Sequence, residues 1–149
     1  MNPLDLATRV RDAILETFAK TGIAPSPGDV AARLGSEVEP VLGAWNRLRE
    51  GRAIVTGEDG VSIRMANPFS GIPTEHTFES AGVRYYANCA WDALGIPAAL
   101  GRGGTVRSRC AHSGEPLRLE LGEEGPEGCD WLFHSLVPAA HWWEDIVFT

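Results

Sequence analysis

The hydrophobic period of this chain changes once along its length. Between residues 4 and 20, Leu6, Val10, Ile14 and Phe18 fall four apart, which lines one face of a helix. Beyond residue 75 the apolar residues come in short runs between turn residues, the habit of strands. Helices first and short strands after read as an α+β protein.

Thr21-Gly22 stops the first helix. Ser26-Pro27-Gly28-Asp29 starts a second: Ser26 caps, Pro27 takes the first helical position, and Asp29 reaches back as in a capping box. That helix runs from Asp29 to Leu34 and ends at Gly35. Ser36-Glu37-Val38-Glu39 repeats the capping signature and opens a third helix, with Val38, Leu42, Trp45 and Leu48 on one side. Residues 53–56 and 61–65 flank Gly57-Glu58-Asp59-Gly60 as a hairpin. Three helices and a hairpin are the order of a winged helix, so residues 1–65 are expected to form a winged-helix-like segment. Its third helix sets Glu37, Glu39 and Glu50 against Arg47 and Arg49. It therefore offers no clean basic face to a DNA groove, and a structural or docking role is the better reading.

Asn67-Pro68 and Gly71-Ile72-Pro73 read as a linker or loop crossing into a second part, residues 66–149. There, His76 to Glu79 and Val83 to Ala87 form a hairpin around Ser80-Ala81-Gly82. Thr105 to Arg109, Leu117 to Leu121, Trp131 to Val137 and Ile146 to Phe148 are further strands, and Asn88 to Leu94 is a short helix closed by Gly95 and Pro97.

With 149 residues, 44% of them hydrophobic and five Trp among them, the chain can fill a core and is not a disordered one. No apolar run approaches the ~20 residues of a membrane helix. The N-terminus lacks the basic patch and apolar stretch of a signal peptide, so a cytoplasmic protein is expected. Of the net charge of −7, residues 1–65 carry −1 (eight basic, nine acidic) and residues 66–149 carry −6 (five basic, eleven acidic). The field of the second part repels polyanions, which argues against nucleic acid as its partner; the oligomeric state stays open.

Cys89, Cys110 and Cys129 make an odd number of cysteines, better read as free, metal-binding or reactive thiols than as a disulfide framework. A helix starting near Asn88 places Cys89 in its first turn, where amides and dipole favour the thiolate. Asp92, three residues on, shares its face. A soft nucleophile beside a proton donor is a reactive pair. The same residues also suit a small buried cysteine and a helix-start charge. Cys110-x-His112 and Cys129-x4-His134 could supply four zinc ligands, but their spacings lack the paired clips of structural zinc sites. His112, His134 and His141 therefore read as surface or strand residues. Gly101-Arg102-Gly103-Gly104 is a plain turn rather than a phosphate loop, and no nucleophile-elbow pattern supports a serine hydrolase.

The stretch from Arg84 to Ala98, RYYANCAWDALGIPA, resembles the alkylmercury lyase (organomercurial lyase) family, in which Cys-x-x-Asp follows an aromatic strand and precedes a Leu/Ile-x-Pro-Ala segment. The likeness extends to Asn67-Pro68-Phe69-Ser70, to Gly101, to Val106-Arg107-Ser108-Arg109-Cys110, to Gly114-Glu115-Pro116 and to the closing residues 142–149. A leading helical segment is also usual in that family. The resemblance implies a mixed α/β domain of alkylmercury lyase type over residues 66–149 and protonolysis of a carbon–mercury bond. Cys89 thiolate would bind the substrate mercury transiently, being soft ligand to soft cation, and Asp92 would protonate the leaving carbon. No organic cofactor or resident metal is implied; Hg(II) is the product, passed to free thiols.

In the family the segment ending here at Thr149 runs on into a second mercury-holding cysteine and a further C-terminal part, for which this sequence has no counterpart. Cys129, in an acidic loop, is the candidate second thiol, and Cys110 matches a cysteine that serves structure. Two other readings share the same residues: a related Cys/Asp enzyme acting on another small molecule, and a non-catalytic soft-metal or effector-binding regulator.

Overall fold

The computed structural model describes residues 3–122 and 124–146. Helix α1 (Pro3–Thr21) buries Val10, Ile14 and Phe18 completely, which is the stripe expected from their spacing. It stops where Gly22, at φ 72°, brings its N–H back to the Phe18 carbonyl. A Cβ at Gly22 would lie 2.2 Å from the Arg84 carbonyl oxygen, so the chain can pass there only without a side chain.

Helix α2 (Pro27–Leu34) carries the full capping box. Ser26 Oγ accepts from the Asp29 N–H, and the Asp29 carboxylate accepts from the Ser26 N–H at 2.9 Å. Helix α3 (Val38–Glu50) departs from expectation at its start: Glu37, not Ser36, is the cap residue, and no side chain caps it. The reason lies in α2. The Ser36 N–H closes that helix on the Ala31 carbonyl, and its hydroxyl turns to the Glu37 carbonyl. Trp45, Val41 and Ala44 of α3 are buried, and Trp45 Nε1 donates to the Val61 carbonyl at 3.0 Å, fixing the following turn.

The hairpin appears as β1 (Val55–Thr56) and β2 (Ile63–Ala66), and a third strand, β3 (Phe69–Ser70), joins them in the antiparallel order β1-β2-β3. The expected linker or loop crossing is thus interrupted by a strand, with Asn67-Pro68 as the turn before β3 and Gly71-Ile72-Pro73 leading out of it. Asn67–Pro68 is a cis peptide that turns β2 back into β3.

The second sheet is antiparallel throughout, in the order β5-β4-β6-β7-β8. It comprises β4 (Thr77–Ser80), β5 (Val83–Tyr86), β6 (Gly104–Arg109), β7 (Pro116–Gly122) and β8 (Gly125–Pro126). The hairpin and both following strands lie where the alternation places them, and β8 pairs a stretch read as loop. Helix α4 (Ala90–Leu100) starts later and runs longer than the expected Asn88 to Leu94. Gly95 does not end it but lets Pro68 approach, since a Cβ there would sit 3.3 Å from Pro68 Cβ. Burial of Ile96 and Pro97 carries the helix on to Gly101, which caps it at φ 63°.

Trp131 to Val137 is not a strand. Leu132 is 93% and Leu136 80% exposed, so the run has no sheet face to bury. Instead Ser135 Oγ and Trp142 Nε1 both donate to the Val137 carbonyl, and the chain enters a 3-10 helix at Ala139–Glu144. Of the strand expected over Ile146 to Phe148, Ile146 lies in a turn and the rest falls outside the described residues.

One apolar cluster joins helices and sheets. Its axis is aromatic: Phe18 stacks on Phe69 at 5.2 Å between centroids, Phe69 meets Tyr85 at 5.9 Å, and Tyr85 meets Phe78 at 6.0 Å. The Tyr85 hydroxyl donates to the Ala19 carbonyl and accepts from Arg102, tying β5 to the end of α1.

Candidate active site at the start of helix α4

Strand β5 delivers the chain to α4 through Ala87 and Asn88, and this junction is held from several sides. The Ala87 N–H donates to the His76 carbonyl at 2.8 Å, and Thr74 Oγ1 donates to the Ala87 carbonyl at 2.6 Å. Ala87 also forms an isolated bridge with Phe69 of β3. Cys89 follows in an extended conformation, φ −150° and ψ 178°, as the cap residue of α4; its carbonyl accepts the Ala93 N–H. One turn on, Asp92 faces back toward it. Both side chains are half-buried.

This arrangement brings Cys89 and Asp92 together, with the thiol donating toward the carboxylate. Its electrostatics correct one expectation. The Trp91 and Asp92 amides do draw the thiol toward ionisation, but burial outweighs them and the Asp92 charge adds to it, so the Cys89 thiol is pushed up rather than down. Burial also raises the Asp92 carboxyl, against the opposing pull of Asn88 and Cys89. The pair is therefore a thiol beside a carboxyl with heightened proton affinity.

Two neighbours escaped the sequence reading. Asn88 Nδ2 donates to Asp92 Oδ2 at 3.0 Å, a pairing legible as an i,i+4 spacing across the helix start. His76, the one histidine left unweighed, lies close enough to Asp92 for its charge to be felt, and its Nδ1 is 2.8 Å from Ser108 Oγ. Burial lowers its proton affinity and so favours the neutral ring. Only the tertiary pairing of β4 with β6 sets it there, which no local pattern announces.

The other thiols sit apart in the fold. Cys110 lies in the turn between β6 and β7, where hydrogen bonds from Ser113 and the His112 amide hold its thiol below the ordinary value. Cys129 is exposed, in the segment after β8. That segment reaches α4 a few residues later, where Phe133 packs on Trp91 at 5.2 Å between centroids. Among the described residues, no three His, Cys, Asp or Glu side chains gather as a metal site, so the zinc set imagined from Cys110, His112, Cys129 and His134 is not assembled. No described helix is long and apolar enough to cross a membrane.

Residues 69–149 match the family model described as alkylmercury lyase. Alkylmercury lyases of Bacillus cereus and Clostridium butyricum are each 46% identical to this chain over 93 residues, 62% of the chain and 40% of the relative. The chain thus matches well under half the length of these curated relatives. Among solved structures, the mercury-bound form of MerB2 superposes with a TM-score of 0.62 at 24% identity, covering 83% of this chain and 66% of that one, and shares its α+β fold.

Proposed function

The chain belongs to the alkylmercury lyase family, and from that premise we propose that it cleaves a carbon–mercury bond by protonolysis. The observation that carries this reading is the pairing of Cys89, the cap residue of α4, with Asp92 in its first turn, a thiol beside a carboxyl whose proton affinity burial has raised.

In this account the small organomercurial enters at the α4 start. Cys89 sulfur bonds to mercury as its proton passes to Asp92, and the ligand that mercury carried departs. The protonated Asp92 then donates to the carbon, the electron pair of the C–Hg bond becomes the C–H bond, and hydrocarbon leaves. Mercury stays as Hg(II) on Cys89 until small thiols remove it. A soft cation prefers the thiolate over every other side chain present. A carboxyl whose proton affinity burial has raised holds the transferred proton more firmly than an ordinary carboxylate would. The substrate supplies the metal, so the account needs no resident cofactor.

Cys129 is the candidate second thiol. Its support is the Phe133–Trp91 contact, which ties its segment to the helix carrying Cys89. Cys110, in its turn between strands, keeps a structural role. We further read residues 1–65 as a winged-helix-like unit, from its order of three helices and a hairpin, that buttresses a catalytic unit over residues 66–149. The protein is read as cytoplasmic, with no nucleic-acid partner.

Incubation of the protein with phenylmercury and excess small thiol tests the reading. Multiple-turnover benzene release, lost in Cys89→Ser and Asp92→Ala, is expected. Tight mercury capture with no benzene would leave a binding protein instead.

A further inference from the structure

Asn88 places one amide nitrogen among four acceptors. Besides Asp92 Oδ2 at 3.0 Å, Nδ2 faces Asn67 Oδ1 at 3.1 Å, the Phe69 carbonyl at 3.3 Å and the Pro68 carbonyl at 3.5 Å. The amide cannot be turned over, because its carbonyl would then confront four oxygens. In the orientation it holds, Asn88 Oδ1 is buried and finds no hydrogen-bond partner among the described residues. An unsatisfied buried carbonyl is a cost that a purely structural asparagine would avoid by presenting both ends to partners. The arrangement keeps it, and what it secures is an N–H on the Asp92 carboxylate.

The acceptors also differ in what they belong to. Two come from the cis-linked Asn67–Pro68 turn, a third from Phe69 where β3 begins, and the fourth is the side chain that faces Cys89. Asn88 therefore spans from the first sheet to the helix start. Gly95 lets Pro68 of that same turn lie against α4 one turn beyond Asp92, so the turn touches the helix at two points.

We propose that Asn88 is a positioning residue that fixes the Asp92 carboxylate against the Cys89 thiol, using the Asn67–Pro68–Phe69 turn as its brace. With one carboxylate oxygen held by Asn88, rotation about the Asp92 side chain is restricted and the thiol meets a set carboxylate geometry. The catalytic part of this inference rests on the lyase reading; the positioning part does not.

The test is a mutant cycle on the full chain with two readouts. The first is the rate of Cys89 alkylation by iodoacetamide, mapped by peptide so that Cys110 and Cys129 are counted separately. Asp92→Ala is expected to speed alkylation by removing the carboxylate that opposes thiolate formation. Asn88→Ala is expected to speed it in the same direction but less, and to have no further effect in the Asp92→Ala background. The second readout is phenylmercury cleavage, where Asn88→Ala lowers kcat by roughly tenfold to a hundredfold with KM little changed, the size of effect that misplacement of a reacting group produces. Asn88→Asp keeps the shape and loses the donor, and is expected to lower kcat alike. An Asn88→Ala effect on alkylation as large in the Asp92→Ala background as in the native protein would mean that Asn88 acts on Cys89 without Asp92, and would overturn the proposal. So would native alkylation rates in both Asn88 variants. Coupling in the alkylation cycle, with no benzene released by the native protein, would overturn the lyase reading and leave the positioning role standing.

Discussion

At the scale of single residues, the proposed chemistry turns on a carboxyl that the fold leaves reluctant to ionise. Burial raises Asp92 above its ordinary value of 3.8 even though Asn88 and Cys89 both pull it down. The folded protein therefore binds this proton more tightly than the unfolded chain. The associated stability is fully present below the unfolded value and is lost as pH rises through the folded one. Asp92→Asn, which carries no ionisable proton there, is expected to gain stability relative to the native protein as pH climbs from about 3.5 toward 7. Urea midpoints of the two proteins at both ends of that range check the sign. A difference independent of pH would place the raised carboxyl elsewhere. The thiol shows a related balance: amides at the helix start act as their position predicts, and burial overrides them. Spacing reveals which residues meet, but not how deeply they are buried, so the direction of the Cys89 shift was not legible in the sequence.

At the scale of elements, local signals were read correctly wherever the stabilising contacts are local. The Ser26–Asp29 capping box is one, with both reciprocal hydrogen bonds in place. Ser26→Ala is expected to cost about 1 kcal/mol of folding free energy, measured by denaturant titration. No change would mean that the tertiary packing of α2 alone sets its start. The β4–β5 hairpin and the β6–β7 pair were legible for the same reason, since each joins strands that are neighbours along the chain. Three misreadings share the opposite cause. Gly95 and Pro97 look like a helix end, yet close packing on Pro68 and burial of Ile96 carry α4 through them. Asn67-Pro68 looks like a linker, yet Phe69 finds a partner in β2 and a place in the aromatic core. Trp131 to Val137 has strand composition, yet among the described residues no strand pairs with it. In each, a partner distant in sequence, or its lack, decides the outcome.

At the scale of the whole molecule, the helical segment and the large sheet share one apolar cluster, and Phe69 is the ring between Phe18 of α1 and Tyr85 of β5. Phe69 is 3% exposed, so Phe69→Ala is expected to cost about 3–5 kcal/mol. It is also expected to lower one cooperative unfolding transition rather than split it, as followed by far-ultraviolet circular dichroism and tryptophan fluorescence. Separate transitions would show that helices and sheet fold independently. The same continuity serves the site: β5 leads into Asn88 and Cys89, and the β2–β3 turn braces Asn88 from the other sheet. The reactive pair is thus placed by the meeting of both sheets, not by α4 alone.

The division of labour between Cys89 and Asp92 is most directly tested by intact-protein mass spectrometry after one equivalent of phenylmercury. The native chain is expected to lose the phenyl group and retain bare mercury, whereas Asp92→Asn should retain the whole phenylmercury adduct. Cys89→Ser, with Cys110 and Cys129 still present, should release no benzene from whatever adduct it forms. Loss of phenyl from Asp92→Asn at the native rate, or a native adduct that never loses it, would contradict the account.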